Sequence, residues 1–524
     1  MSVSLKDLFY SAQYNQILDY EKEHSLSIKE QWFFLQANIH LGFLDETQRS
    51  VKKILTQELS IDQKISFWII EAQLLSEKGL FQESNKILTQ ALLEVSKKTD
   101  RTLKIEIYIL KGLNFMSLGK YDLSLEELQN AYFLTNELQE PYYQALCINN
   151  IGNIYYHTGN YQRAQNYYEQ AELFYKKAKN DRGLATIYNN KGNTYCEEGN
   201  LQKSLDYYFK AEQIWTSYGN VSDIAAVLNN MADVYYIQGF LLKALETFKK
   251  SLEYSIQIGN KDSMALAYNN IGLVYENMGK YDNAEEMYKK ALKLWETSNN
   301  PQNIAEGVLN LFRVLLDQKK DIESEVVLKH FPPPPYESEI ISSLYKLILA
   351  INARYRQEWE NVETYVIEIL LDQRIDLEHL IYCHEILTES CLYLWQRKMN
   401  ELSLNRLLTQ LDTWEAFCKE YKIFGALCKA QLIRSKVAFA LFDFEKAENL
   451  IEQCIFTSDD VGLPLHNKIA RDELERFFRK KEIILNTSTN QKESLKQVQV
   501  DEAIHYLKDL SRSLLNADEH IERF

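Results

Sequence analysis

An all-α solenoid of antiparallel helical hairpins is the fold this sequence predicts, and three observations predict it. Six glycines (Gly79, Gly119, Gly159, Gly199, Gly239 and Gly279) stand 40 residues apart, and a fixed period of that size marks a repeat protein. Small and bulky residues recur at constant offsets around each glycine. With 17 Gly and 7 Pro in 524 residues, the chain has few loop formers, so its backbone is expected to be helical nearly throughout. Such a stack escapes the size limit of a single globular core, because each repeat buries only its neighbours.

The offsets define two helices per repeat. Seven residues before each glycine stands a small residue: Ala72, Gly112, Gly152, Gly192, Ala232 and Gly272. Three residues after that comes a large one: Leu75, Phe115, Tyr155, Tyr195, Tyr235 and Tyr275. Beyond the glycine, small residues fall at Ser84, Ser124, Ala164, Ser204, Ala244 and Ala284, and again at Ala91, Ala131, Ala171, Ala211, Ser251 and Ala291. Between them sits a bulky position, as in Leu128, Tyr168, Tyr208, Phe248 and Tyr288. Small residues let two helices cross closely, and the bulky ones fill the space beside the crossing. Steps of three, four and seven place all of them on one face of each helix.

This pattern resembles the tetratricopeptide repeat. Trp68, Leu75, Gly79, Ser84, Leu88 and Ala91 carry the resemblance in the first clear copy, and Ile148, Ile151, Gly152, Tyr155, Ala164, Tyr168 and Ala171 in the third. The resemblance implies a right-handed superhelix of hairpins over residues 67–331. The period of 40 exceeds the usual value of about 34, and the extra residues are expected in the second helix and its exit loop. Ser222 and Asp262 are expected helix N-caps there, and Asn300-Pro301 reads as an N-cap followed by proline in the first turn.

The flanks are less regular. Residues 1–66 are expected to form degenerate capping hairpins. Pro332 to Pro335 form a run no helix tolerates, read as a polyproline spacer or bend over 332–335. Residues 336–485 are expected to hold degenerate hairpins of the same kind, and 486–497 a polar linker. A last amphipathic helix over 498–524 carries Val500, Ile504, Leu507, Leu510, Leu514 and Ile521 on one stripe, and it is expected to cap the stack or to occupy its groove.

Composition narrows the partners. A formal net charge of −15 argues against nucleic acid and anionic membrane. Seven scattered cysteines without a CxxC pair suit reduced thiols and a cytoplasmic location. The start lacks the apolar core of a signal peptide, and no apolar run approaches the ~20 residues of a spanning helix. No phosphate-loop, dinucleotide, nucleophile-elbow or metalloprotease motif occurs, so neither catalytic residues nor a cofactor is expected. His379 and His384 are five apart, a poor spacing for a shared metal, and no metal site is assigned.

The one polar feature that repeats is an asparagine pair: Asn149-Asn150, Asn189-Asn190, Asn229-Asn230 and Asn269-Asn270. Asparagine inside a helix costs roughly 0.6 kcal/mol against alanine, so four pairs in register need a cause. In tetratricopeptide hairpins the first helix lines the concave groove. Asn153, Asn193 and Asp233 follow on the same stripe, then Tyr156 and Tyr236. A carboxamide both donates and accepts, so it can hold a peptide bond without reading its side chain. The alternative is that one asparagine of each pair bridges adjacent repeats as a structural ladder. The pairs give way to Ile69-Ile70 and Ile109-Leu110 before them and to Leu309-Asn310 after them, so the polar stretch is bounded by apolar walls.

The sequence is similar to kinesin light chains and bacterial peptide-pheromone receptors, whose long repeats hold extended peptides with groove asparagines. That resemblance implies a non-enzymatic scaffold binding a peptide or partner tail. The basic clamp that holds a C-terminal carboxylate in chaperone cofactors has no counterpart here. Two alternatives stand beside this reading: a regulator resembling the pheromone-controlled response-regulator phosphatases, and an architectural subunit that self-assembles, for instance as a homodimer.

Overall fold

The computed structural model describes residues 17–20, 26–40, 44–95, 100–298, 301–334, 339–372, 377–398 and 400–488. The expected C-terminal helix over 498–524 lies outside the described residues, as do Asn300 and Pro335. The described residues are helical, and successive helices pair into antiparallel hairpins. A first hairpin, α1 (Ile28–His40) with α2 (Leu44–Leu55), precedes the regular array. The array then runs as α3 (Ile61–Glu77) and α4 (Phe81–Glu94), α5 (Arg101–Ser117) and α6 (Tyr121–Leu138), α7 (Pro141–His157) and α8 (Tyr161–Lys177), α9 (Asp181–Glu197) and α10 (Leu201–Tyr218). It continues with α11 (Val221–Ile237) and α12 (Leu241–Ile258), α13 (Lys261–Asn277) and α14 (Tyr281–Ser298), α15 (Pro301–Asp317) and α16 (Asp321–Val327).

Each first helix of the array, from α3 to α15, is 17 residues long and begins 40 residues after the last. The glycine that sets the period ends it. Gly79 adopts φ +75° and Gly159 φ +73°, a left-handed conformation that a side chain disfavours. The Gly79 N–H donates to the Ser76 carbonyl at 2.9 Å and the Leu80 N–H to Leu75 at 2.8 Å, the paired bonds of a Schellman cap. The same two bonds close the turns at Lys319-Lys320, Gln357-Glu358 and Phe442-Asp443, where no glycine is present.

The small positions exist because the bulky ones press on them. A Cβ at Gly152 would stand 2.7 Å from the Tyr168 ring, at Gly192 2.5 Å from Tyr208, and at Gly272 2.6 Å from Tyr288. Two second-helix serines use the close approach: Ser124 Oγ donates to the Gly112 carbonyl at 2.7 Å and Ser204 Oγ to Gly192 at 2.8 Å. Leu88, Leu128, Tyr168, Phe248 and Tyr288 are all buried, each worth about 1.5–3 kcal/mol of burial for an aliphatic or aromatic side chain.

Two of the expected N-caps are corrected. α13 starts at Lys261, and its cap is Asn260, whose Oδ1 accepts from the Ser263 N–H at 3.0 Å; Asp262 is inside the first turn. Likewise α11 starts at Val221, so Ser222 is within the helix. The reason is the preceding glycine: Gly219 and Gly259 end their helices in the left-handed region, leaving one residue, an asparagine, to cap the next.

After a short 3-10 turn over Leu328–His330, Pro332 to Pro334 are non-helical. Irregular hairpins follow: α17 (Glu339–Tyr355) with α18 (Trp359–Asp372), α19 (Leu377–Lys398) with α20 (Glu401–Glu420), and α21 (Phe424–Ala440) with α22 (Phe444–Val461). The last helix, α23 (Pro464–Ser488), packs on α22 and runs through residues 486–488 of the expected linker. The chain forms two compact units, one of residues 1–197 with 203–227 and one of 198–202 with 228–524.

Candidate peptide-binding face

Within each unit the asparagine pairs are linked from repeat to repeat. In the first unit Asn190 Nδ2 on α9 donates to Asn149 Oδ1 on α7 at 2.9 Å and to Asn153 Oδ1 at 3.1 Å. In the second, Asn270 Nδ2 donates to Asn229 Oδ1 at 3.1 Å and Asn310 Nδ2 to Asn269 Oδ1 at 3.0 Å. The rule is constant: the second asparagine of one repeat gives its amide to the first asparagine of the repeat before, 41 residues away. This explains the poor helix former at mid-helix. Asn149 and Asn269 are only 4% and 2% exposed, and a buried carboxamide must be hydrogen-bonded or lose the full desolvation cost of its polar atoms.

The ladder has ends. Asn150 occupies the donor position in α7, but 41 residues earlier stands Ile109, which has no acceptor side chain. Asn150 Nδ2 is therefore buried without a hydrogen-bond partner, while its Oδ1 accepts from Asn153 Nδ2 at 3.4 Å. At the other end Asn310 completes the series, a member the sequence pattern had assigned to an apolar wall. The pattern of 41 would have found it, since Asn310 follows Asn269 at that spacing.

The remaining expected residues surround the ladder. Asn153 Oδ1 accepts from the Tyr168 hydroxyl at 2.9 Å and Asn193 Oδ1 from Tyr208 at 2.7 Å. The bulky second-helix tyrosines thus reach through the hairpin to the first-helix face. Asn229 Nδ2 donates to Asp233 Oδ2 at 3.1 Å. Tyr236 Oη accepts from Asn277 Nδ2 at 2.6 Å. Asn189 and Asn230 are partly buried. By contrast, the amide nitrogens of Asn149 and Asn269 donate to no group among the described residues. The ladder fixes which end of each carboxamide faces its neighbour, and so presents these N–H donors in a set orientation.

Charged residues that do not follow the repeat in register also line the first helices. In the first unit the Tyr143 hydroxyl donates to Glu106 Oε1 at 2.7 Å and the Tyr156 hydroxyl to Glu197 Oε1 at 3.3 Å. Burial pushes both carboxyls above the usual range, and the phenol hydrogen bonds partly offset it. Burial likewise raises the Tyr156 phenol well above its ordinary value. In the second unit Arg313 makes a bidentate pair with Glu276 at 2.8 and 2.9 Å, and Tyr288 donates to the same carboxylate at 2.6 Å. Arg354 pairs with Glu389 at 2.8 Å and Lys429 with Glu385 at 2.9 Å. Sequence periodicity gives no consistent signal for any of these residues.

His384 is 4% exposed, with Gln410 Nε2 at 3.3 Å from Nδ1 and the Phe417 ring at 4.7 Å. Among the described residues no group of three His, Cys, Asp or Glu side chains could hold a metal ion, and no helix is long and apolar enough to cross a membrane. None of the seven cysteines forms a disulfide.

The tetratricopeptide repeat profile matches residues 103–177, 183–253 and 223–297. Among curated proteins no sequence matches. Solved structures of similar helical fold include apo RapI, at 15% identity and TM-score 0.49, covering 66% of this chain and 96% of that one. NprR in complex with its cognate peptide NprX is 16% identical with TM-score 0.45, covering 68% and 100%. BtubC from P. vanneervenii is 18% identical with TM-score 0.34, covering 43% and 92%.

Proposed function

We propose that this chain, which carries an array of tetratricopeptide repeats, is a non-enzymatic scaffold whose first-helix faces hold an extended peptide or partner tail. Repeats of this kind are protein-binding surfaces. The observation that carries the finer reading is the pair of free amide donors on Asn149 and Asn269, held in place by the ladder through their oxygens. An extended peptide offers a carbonyl acceptor at each residue, and preorganised donors lower the entropy lost on binding it. Within the first unit Asn150, Asn153, Tyr156, Asn189, Asn190 and Asn193 are the further polar contacts of this reading, and within the second Asn229, Asn230, Asp233, Tyr236 and Asn270. Seven cysteines without a disulfide fit a reducing cytoplasm.

The test is selection from a display library of random dodecapeptides against the full chain, with the Asn149→Ala and Asn269→Ala variants as counter-targets. The proposal expects peptides that are retained by the native chain and lost on at least one variant. Selection of nothing, or of peptides indifferent to both substitutions, would refute it.

A further inference from the structure

On α5, α7 and α9 of the first unit, Glu106 and Glu197 have no cation beside them. Glu106 and Glu197 are each bound only by phenol hydroxyls: Tyr143 for the first, Tyr156 with Tyr161 for the second. Every Lys and Arg on α5, α7 and α9 is engaged elsewhere. Arg101 pairs with Glu137 at 3.4 Å, Lys111 with Glu127 at 2.5 Å and Lys191 with Glu172 at 2.6 Å. Lys104 lies over the Tyr108 ring at 5.7 Å, and Arg182 acts on Asp223. α7 has no Lys or Arg at all. The second unit is built differently, because Glu276, Glu389 and Glu385 each have their own Arg or Lys.

A second, independent feature lies beside Glu106. Asn150 is 5% exposed and its Nδ2 has no partner. Tyr143 and Asn150 are seven residues apart on α7 and so share a face. Tyr143 reaches Glu106 on α5, and the ladder register directs Asn150 to Ile109, one helical turn further along the same helix. By register, an orphaned amide donor and an uncompensated carboxylate therefore lie about one helical turn apart where α5 and α7 pack. One peptide residue satisfies both: its carbonyl takes the Asn150 N–H, and a cationic side chain meets Glu106.

We propose that the first unit selects extended peptides bearing Lys or Arg, with Glu106 and Glu197 accepting the cations and Asn150 a backbone carbonyl. The proposal rests on the peptide-binding reading above and names its ligand class. Charge complementarity commits the occupant: Glu106 and Glu197 are the partly buried carboxylates of α5, α7 and α9, and neither has a cation beside it.

The probes are three capped octapeptides of alternating Lys and Ala, Gln and Ala, and Glu and Ala, titrated calorimetrically into the full chain at low ionic strength. The Lys peptide is expected to bind about tenfold or more tighter than the Gln peptide, and the Glu peptide weakest. Glu106→Gln and Glu197→Gln should each remove about threefold or more of the Lys preference and leave the Gln peptide unchanged. Glu94→Gln, an exposed second-helix control, should change nothing, which separates the site from general attraction to an acidic protein. Melting curves of both Gln variants verify folding. Equal binding of Lys and Gln peptides, or a preference that survives both substitutions, would overturn the cation assignment alone, provided the Gln peptide still binds and weakens on Asn149→Ala. Absence of binding by all three peptides would overturn this inference together with the reading beneath it.

Discussion

Asn270 Nδ2 lies 3.1 Å from Asn229 Oδ1, joining residues 41 positions apart in adjacent first helices. The bond satisfies a buried oxygen and leaves the orientation of both carboxamides determined. Since each repeat contacts mainly its neighbours, such a bond couples two repeats directly, and the ladder serves structure and recognition at once. The two roles are separable by measurement.

The structural role predicts coupling. In a double-mutant cycle of Asn149→Ala and Asn190→Ala, read by urea denaturation, the interaction term should be about 0.5–1.5 kcal/mol, the worth of one buried neutral hydrogen bond. Strict additivity would remove the ladder as a stabilising element.

Close helix crossing predicts intolerance at the small position. A Cβ at Gly192 would stand 2.5 Å from Tyr208, whose ring is buried and whose hydroxyl is held by Asn193. Gly192→Ala should cost about 1–3 kcal/mol through overpacking, and Gly192→Leu more. Denaturant midpoints unchanged from the native chain would contradict the packing described.

Lys319 closes its turn at φ +59° with an exposed side chain, at the position where earlier repeats have glycine. Lys319→Gly should stabilise the second unit by about 0.5–1 kcal/mol, because the left-handed conformation disfavours a Cβ. Loss of stability would mean that the Lys319 side chain contributes more than its backbone strain removes.

That turn also explains what was legible in the sequence. The array from Gly79 to Gly279 was readable because a left-handed turn and a close crossing each admit glycine or a small residue, and both recur at 40 residues. Downstream, the left-handed turns persist at Lys319, Gln357 and Phe442, but without glycine the signal fades although the backbone motif does not. The asparagine pairs stood out as a pattern, yet their partners lie in the next repeat at an offset of 41, which periodicity of one helix cannot reveal. Glu106 and Glu197 recur only sporadically in the period, at Glu306 and Glu77, and Arg313 not at all, so none of them carries a signal in register.

A pH dependence follows from His384. Burial pushes its imidazole down to about 4, whereas in the unfolded chain it titrates near its ordinary value of about 6.5. The folded pKa is depressed, so the unfolded state binds the proton first as pH falls. The stability contribution is complete above about 6.5 and is lost as pH drops toward 4, roughly 3 kcal/mol in all. His384→Gln should flatten the difference in denaturant midpoint between pH 7 and pH 4.5 relative to the native chain. An undiminished dependence would place the titrating group elsewhere.

The most direct test of the account measures affinity and stability together on the asparagine face. A display-selected peptide is titrated calorimetrically into the native chain, Asn149→Ala and Asn269→Ala, and each protein is melted under the same conditions. The account predicts a loss of about 1–3 kcal/mol in binding for at least one variant, with melting temperature lowered only modestly. A collapse in melting temperature with unchanged affinity of the remaining folded protein would show that these asparagines hold the repeats together and bind nothing.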